Sequence, residues 1–206
     1  MKKTVKTGLF VAIALLCFYG YYQYNQHRMT EEIAGKIIRF HVRANSDTTI
    51  DQELKLKVRD AIGVYMQPII SDVSNIEEGR QIIKESLKDI EQQASQVIAA
   101  EGCDYQVNAS LTITDFPEKT YGNYTFPAGK YEALEVVIGK GKGHNWWCVM
   151  YPNLCFVNST YEIVEEEAEK TLEQVLTPEE YKSLMEDKNY EIKFVLFDWL
   201  KEKFCF

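Results

Sequence analysis

The spacing of apolar residues changes repeatedly along this chain, and each change marks a predicted element. Gly8 to Tyr19 (GLFVAIALLCFY) is a continuous apolar run that predicts a hydrophobic helix. Ile37 to Val42 (IIRFHV) is short and apolar-rich, as a strand is, and Asn45-Ser46-Asp47 then supplies turn and capping groups. From Asp51 the residues Leu54, Val58, Ala61, Tyr65, Met66 and Ile69 recur at helical spacing. Lys55, Lys57, Arg59 and Asp60 form the polar face, and Pro68 ends or bends the helix. A second helix starts at Ser74 or Asn75, each with a glutamate three residues on, and stops at Gly102. Ile76, Ile83, Leu87, Ile90, Ala94 and Val97 line its apolar face.

The period then drops to two. Tyr105, Val107, Ala109, Leu111 and Ile113 alternate with polar residues, which predicts a half-buried strand. After Pro117, Tyr121–Tyr124 reads as a loop and Pro127–Gly129 as a turn. Tyr131–Ile138 and Trp146–Tyr151 are predicted strands joined by a connection containing Gly139, Gly141 and Gly143. Residues 162–176 read as an acidic helix, Thr177-Pro178-Glu179-Glu180 as a capped helix start, and Glu191–Phe197 as a last strand. Helices and strands are only partly interleaved. The predicted class is α+β: a small mixed or antiparallel sheet with two or more packed helices, preceded by an N-terminal hydrophobic helix.

Charge sets the address. Lys2, Lys3 and Lys6 precede the apolar run, and no acidic residue occurs before Glu31, which is the layout of a secretory signal. No A-x-A pattern follows, so residues 1–28 are expected to be either a cleaved signal peptide or a retained signal anchor. Residues 29–206 then form a single exported domain. They hold 19 of the 23 Lys and Arg residues and all 31 acidic ones, a net charge of −12. Such a domain is a poor ligand for nucleic acid or anionic lipid, so contact with a membrane is assigned to the N-terminal segment alone.

Export makes disulfides permissible, and Cys148 and Cys155 are close enough for a loop containing Pro152 to join them. The pairing of Cys103 and Cys205 stays open. His144 and Cys148 could form an imidazole–thiolate pair, but no orienting group or oxyanion hole accompanies them, and no catalytic residue is assigned. The three glycines precede no helix, which argues against a phosphate cradle and for a mobile connection. Cys148 and Cys155 lack a second ligand pair, so neither metal nor cofactor is expected. Trp146 and Trp147 are strand neighbours with opposite facings, one suited to a core and one to an interface. Asn45 and Asp47 with Arg59 read as a capped turn beside a solvated arginine, and Gly122 and Gly129 as turn residues.

Four segments together resemble one family: IIRFHVRANSD (Ile37–Asp47), KLKVRDAI (Lys55–Ile62), YGNYTFPAGKYEAL (Tyr121–Leu134) and IGKGKGHNWWCVMYPNLCF (Ile138–Phe156). They resemble stage II sporulation protein R of endospore-forming bacteria. The resemblance implies a protein made in the forespore and exported into the space between the two membranes that separate it from the mother cell. It implies a partner there, the sigma-E factor processing peptidase, a membrane-embedded aspartic peptidase that removes the pro-sequence of a mother-cell sigma factor. The chain would act as that enzyme's activator, with no catalysis and no small-molecule substrate of its own. The candidate partner-binding residues are Tyr121, Asn123, Tyr124, His144, Asn145, Trp146 and Trp147, with Asn45, Asp47, Arg59, Gly122 and Gly129 in structural roles. The rival reading is an exported cell-wall hydrolase or amidase with Cys148 as nucleophile and His144 as base.

Overall fold

The computed structural model of the chain describes residues 2–154 and 166–185. A long helix, α1 (Lys2–Ala34), leads into strand β1 (Ile38–Arg43), followed by helices α2 (Thr49–Ile70) and α3 (Ile76–Ala100). Five strands come next: β2 (Val107–Phe116), β3 (Lys119–Tyr121), β4 (Tyr124–Phe126), β5 (Gly129–Ile138) and β6 (Asn145–Tyr151). Helices α4 (Glu166–Val175) and α5 (Pro178–Met185) complete the described residues. The fold is α+β, as predicted. The main sheet is mixed, in the order β2-β5-β1-β6, with β1 parallel to β5 and the other pairs antiparallel. The predicted strand at Glu191–Phe197 lies outside the described residues.

The helices begin where their capping groups lie. Thr48 caps α2 by accepting the Asp51 N–H. Of the two possible starts for α3, the structure uses Asn75, whose Oδ1 accepts the Glu78 N–H while Glu78 reaches back to the Ser74 N–H. Thr177 and Glu180 exchange the same reciprocal bonds at the start of α5. Pro68 falls in the last turn of α2, which ends two residues later at Ile70. One expected loop is a hairpin instead: β3 and β4 pair Tyr121 with Tyr124 across the two-residue turn Gly122-Asn123. Gly122 has φ +55°, a left-handed conformation that glycine adopts without steric cost.

Alternation along β1 divides the core. Ile38, Phe40 and Val42 face α2 and α3, where Gly79 of α3 approaches Ile38 and Tyr151 closely. Arg39, His41 and Arg43 face the other side, towards Phe116, Tyr131 and Trp147. The β3–β4 hairpin and α5 pack there, and the Tyr124 and Tyr181 hydroxyls both donate to Glu169 Oε1 (2.8 and 3.1 Å). The last turns of α1 belong to the domain: Ile33 is buried, Thr30 packs on Gly129, and Lys36 just beyond the helix pairs with the buried Glu180 at 2.6 Å. Among the described residues no helix is long and apolar enough to cross a membrane.

Candidate functional site

Because β1 and β5 run parallel as neighbours, the loop after β1 and the connection after β5 leave the same end of the sheet. The chain must then pass from β5 over the end of β1 to reach β6, since β1 lies between them. Residues 139–144 therefore cross directly above residues 44–47, and backbone meets backbone. Lys142 N–H donates to Asn45 O (3.1 Å) and Gly143 N–H to Ala44 O (2.9 Å). Asn45 Oδ1 accepts the Lys140 N–H (3.0 Å), and Asp47 Oδ1 accepts the His144 N–H (2.6 Å). The His144 ring Nδ1 also meets Asp47 Oδ1.

This approach explains the glycines. A Cβ at Gly143 would overlap the carbonyl of Ser46, and one at Gly141 would stand 2.6 Å from Val137 Cγ1. Gly139 and Gly141 also have positive φ, +56° and +58°. The connection expected to be mobile is a clasp, held shut by main-chain hydrogen bonds that a bulkier residue would prise open.

Two carboxylates organise the clasp. The buried Asp51 accepts from the Ser46 hydroxyl (2.5 Å) and from Asn45 Nδ2 (2.9 Å), and the Ser46 bond above all holds its pKa below the usual carboxylate range. Asp47 is lowered as well, chiefly by the His144 N–H. Lys55, expected on a solvated face, is only 6% exposed. Its ammonium donates to Gln52 Oε1 (2.6 Å) and His144 O (3.1 Å), and burial pulls its pKa down. Arg59 departs from expectation in the same way: its guanidinium lies 5.1 Å from the centre of the Trp146 ring and its side chain is largely buried.

Beside the clasp, Tyr121, Asn145, Trp146 and Trp147 meet Lys119 and Thr120 around a cleft of about 210 Å³. The structure thus joins two segments that the sequence could only place together as candidates. Both tryptophans are half-buried. Trp146 packs edge-on against Phe40 on the helix side, and Trp147 stacks parallel to His41 on the other. Tyr121 and Tyr124 are poor surface anchors, at 7% and 3% exposed, because both hydroxyls are spent inside the domain. Asn123 is exposed at the hairpin tip, and the His144 side chain is 81% exposed. Gly129 sits beneath Thr30, where a Cβ would come within 2.9 Å of Thr30 Cγ2.

The Cys148–His144 pair is not assembled for nucleophilic chemistry. Cys148 is buried and disulfide-bonded, while the His144 ring is turned to Asp47. Cys155 and Cys205 lie outside the described residues; Cys17 and Cys103 are free. Among the described residues no group of three or more His, Cys, Asp or Glu side chains could hold a metal.

Sequence reasoning passed over the polar side of β1. Arg39 is fully buried with no carboxylate paired to it among the described residues; it donates from Nε to Cys148 O (2.9 Å) and from Nη2 to the Tyr121 hydroxyl (3.1 Å). The rings of Phe116, Tyr131, Phe126 and Tyr121 surround its guanidinium at 4.5 to 5.7 Å. Burial lowers the pKa of Arg39 and pushes Tyr131 up to about 12. His41, two residues on, is lowered to about 4 by burial and then by Arg43 and Arg39. The readable signal was the i, i+2, i+4 spacing of Arg39, His41 and Arg43, which puts all three on one face of a strand.

The family model for stage II sporulation protein R matches residues 34–161, a span that holds the clasp and the cleft. The chain is 36% identical over 186 residues to the stage II sporulation protein R of Bacillus subtilis (strain 168), covering 84% of this chain and 83% of that protein. No solved structure matches it. On the family match and this relative together, the chain belongs to the stage II sporulation protein R family.

Proposed function

We propose that this chain is an exported sporulation signal. It is made in the forespore, crosses the forespore membrane by its N-terminal segment, and acts in the intermembrane space. There it activates the membrane-embedded aspartic peptidase that processes pro-sigma-E in the mother cell. Its role is that of a ligand, and Cys148 pairs with Cys155 to brace the end of β6. The observation that carries the docking surface is the meeting of the Tyr121 and Asn145–Trp147 segments at one cleft beside the clasp. Aromatic side chains fixed by packing lose little freedom on binding, which suits them to anchor a partner. The ligand activates by binding the active state of the peptidase more tightly than the inactive one, since only differential affinity shifts such an equilibrium.

The test replaces accessible rim residues rather than the half-buried tryptophans. His144→Ala and Lys119→Glu are expressed in sporulating cells that lack the native copy, and pro-sigma-E processing is followed by immunoblot. Reduced processing with a retained fold is expected for both. Normal processing in both variants, at normal protein levels, sinks this surface.

A further inference from the structure

Strand β2 pairs with β5 on one side and has no strand on the other among the described residues. The register with β5 is unbroken, so residues alternate strictly between inward and outward hydrogen bonding. Ala109 points outward, because its N–H donates to the Glu91 side chain (2.9 Å). Leu111, Ile113 and Asp115 share that parity. Their outward main-chain groups have no hydrogen-bond partner among the described residues.

Edge strands are normally guarded by proline, charge, a bulge or a covering element. From Asn108 to Thr114 (NASLTIT) this one carries neither proline nor charge, and its pairing shows no bulge. Ile113, within that stretch, is 63% exposed. Beside it a groove of about 980 Å³ runs between α1 and the sheet, with Ala34, Ile113, Pro127 and Ala128 as its apolar lining and Glu31 and Glu132 among its polar residues. The groove lies on the side of the sheet to which Ile113 points. An added strand would set alternate side chains into it.

We propose that β2 is a strand-addition site for an extended segment of another protein, paired with residues 111–115 and filling the groove with apolar side chains. Main-chain bonds then supply affinity and the groove selects side chains. The occupant is neutral to basic. The exported domain carries a net charge of −12, which opposes pairing with a second copy of itself. The site lies on the opposite sheet edge from the β6 cleft and stands independently of the function proposed above.

The probe is an acetylated, amidated heptapeptide of alternating lysine and valine, added to the full chain and followed by hydrogen exchange. The amides of Leu111, Ile113 and Asp115 are expected to slow about tenfold. The same peptide N-methylated at alternate residues is expected to have no effect. Ile113→Pro removes one outward N–H without touching a bond to β5, and is expected to weaken binding about tenfold. Ile113→Lys, which keeps the backbone intact, is expected to repel the cationic peptide. The proposal is overturned if the N-methylated peptide protects equally, or if protection appears elsewhere. It also fails if these amides become protected with rising protein concentration alone, since that would identify a second copy as the occupant.

Discussion

Gly143→Ala is the sharpest perturbation of the clasp. The new methyl would meet the Ser46 carbonyl, a main-chain atom that cannot swing aside as a side-chain tip would. Relief requires the 139–144 connection to lift from residues 44–47. That breaks the Lys142–Asn45 and Gly143–Ala44 bonds, each worth about 1 kcal/mol net, and the bond from His144 N–H to the Asp47 carboxylate, worth about 2 kcal/mol. Partial relaxation keeps some of this, so a loss of about 2–4 kcal/mol is expected. The assay is urea unfolding of the full chain, paired with hydrogen exchange at residues 142–144. Lys142→Ala is the control: it alters an exposed side chain in the same connection, keeps the main-chain bond, and should change stability by no more than about 0.5 kcal/mol. If Gly143→Ala matched Lys142→Ala in stability, with the three amides still protected, the clasp would not be what requires glycine here.

Arg39→Lys keeps the buried charge but loses the Nε bond to Cys148 O and the guanidinium's contacts with four rings; it should cost about 3 kcal/mol in urea unfolding. Arg39→Met loses both hydrogen bonds yet removes the buried cation, and should be the milder change at about 1–2 kcal/mol. The reverse order would show that charge, not geometry, is what the aromatic box holds. His41 is held at about 4 in the folded chain against an ordinary 6.5, so the unfolded chain binds its proton first. Its contribution is fully present above pH 6.5 and is lost as pH falls towards 4, by ~3 kcal/mol. His41→Gln should flatten that limb of a stability–pH curve, and an unchanged slope would refute the assignment. Lastly, Ile33 is buried and Met29 packs on the core, so the N-terminus of any processed chain is expected at or before Met29. Mass spectrometry of the protein recovered from sporulating cells measures it directly, and a start beyond Ile33 would contradict this packing.

Local patterns carried most of the elements. Helical spacing placed α2 and α3, alternation placed β2, and capping boxes marked the starts of α3 and α5, because each depends on neighbours within a few residues; the cap of α2 is Thr48, one residue past the expected Asn45–Asp47. The lysines and the apolar run stated an export layout in the same local terms. Four assignments went differently for one reason: they depend on what lies across the fold. Gly139–Gly143 looked mobile until the strand order sent the chain over Asn45–Asp47. Lys55 and Arg59 looked solvated until His144 and Trp146, far along the chain, came down on them. Tyr121 and Tyr124 looked like anchors until Arg39, Glu169 and Tyr181 took their hydroxyls. Arg39 itself sat unremarked in an apolar run, because nothing nearby in sequence announces four rings from four other strands. The sequence by itself determined most of the elements, the charge and the family. Only the tertiary structure decided which polar groups are buried and which glycines are obligatory, since burial and close approach belong to pairs of segments that meet only in the folded chain.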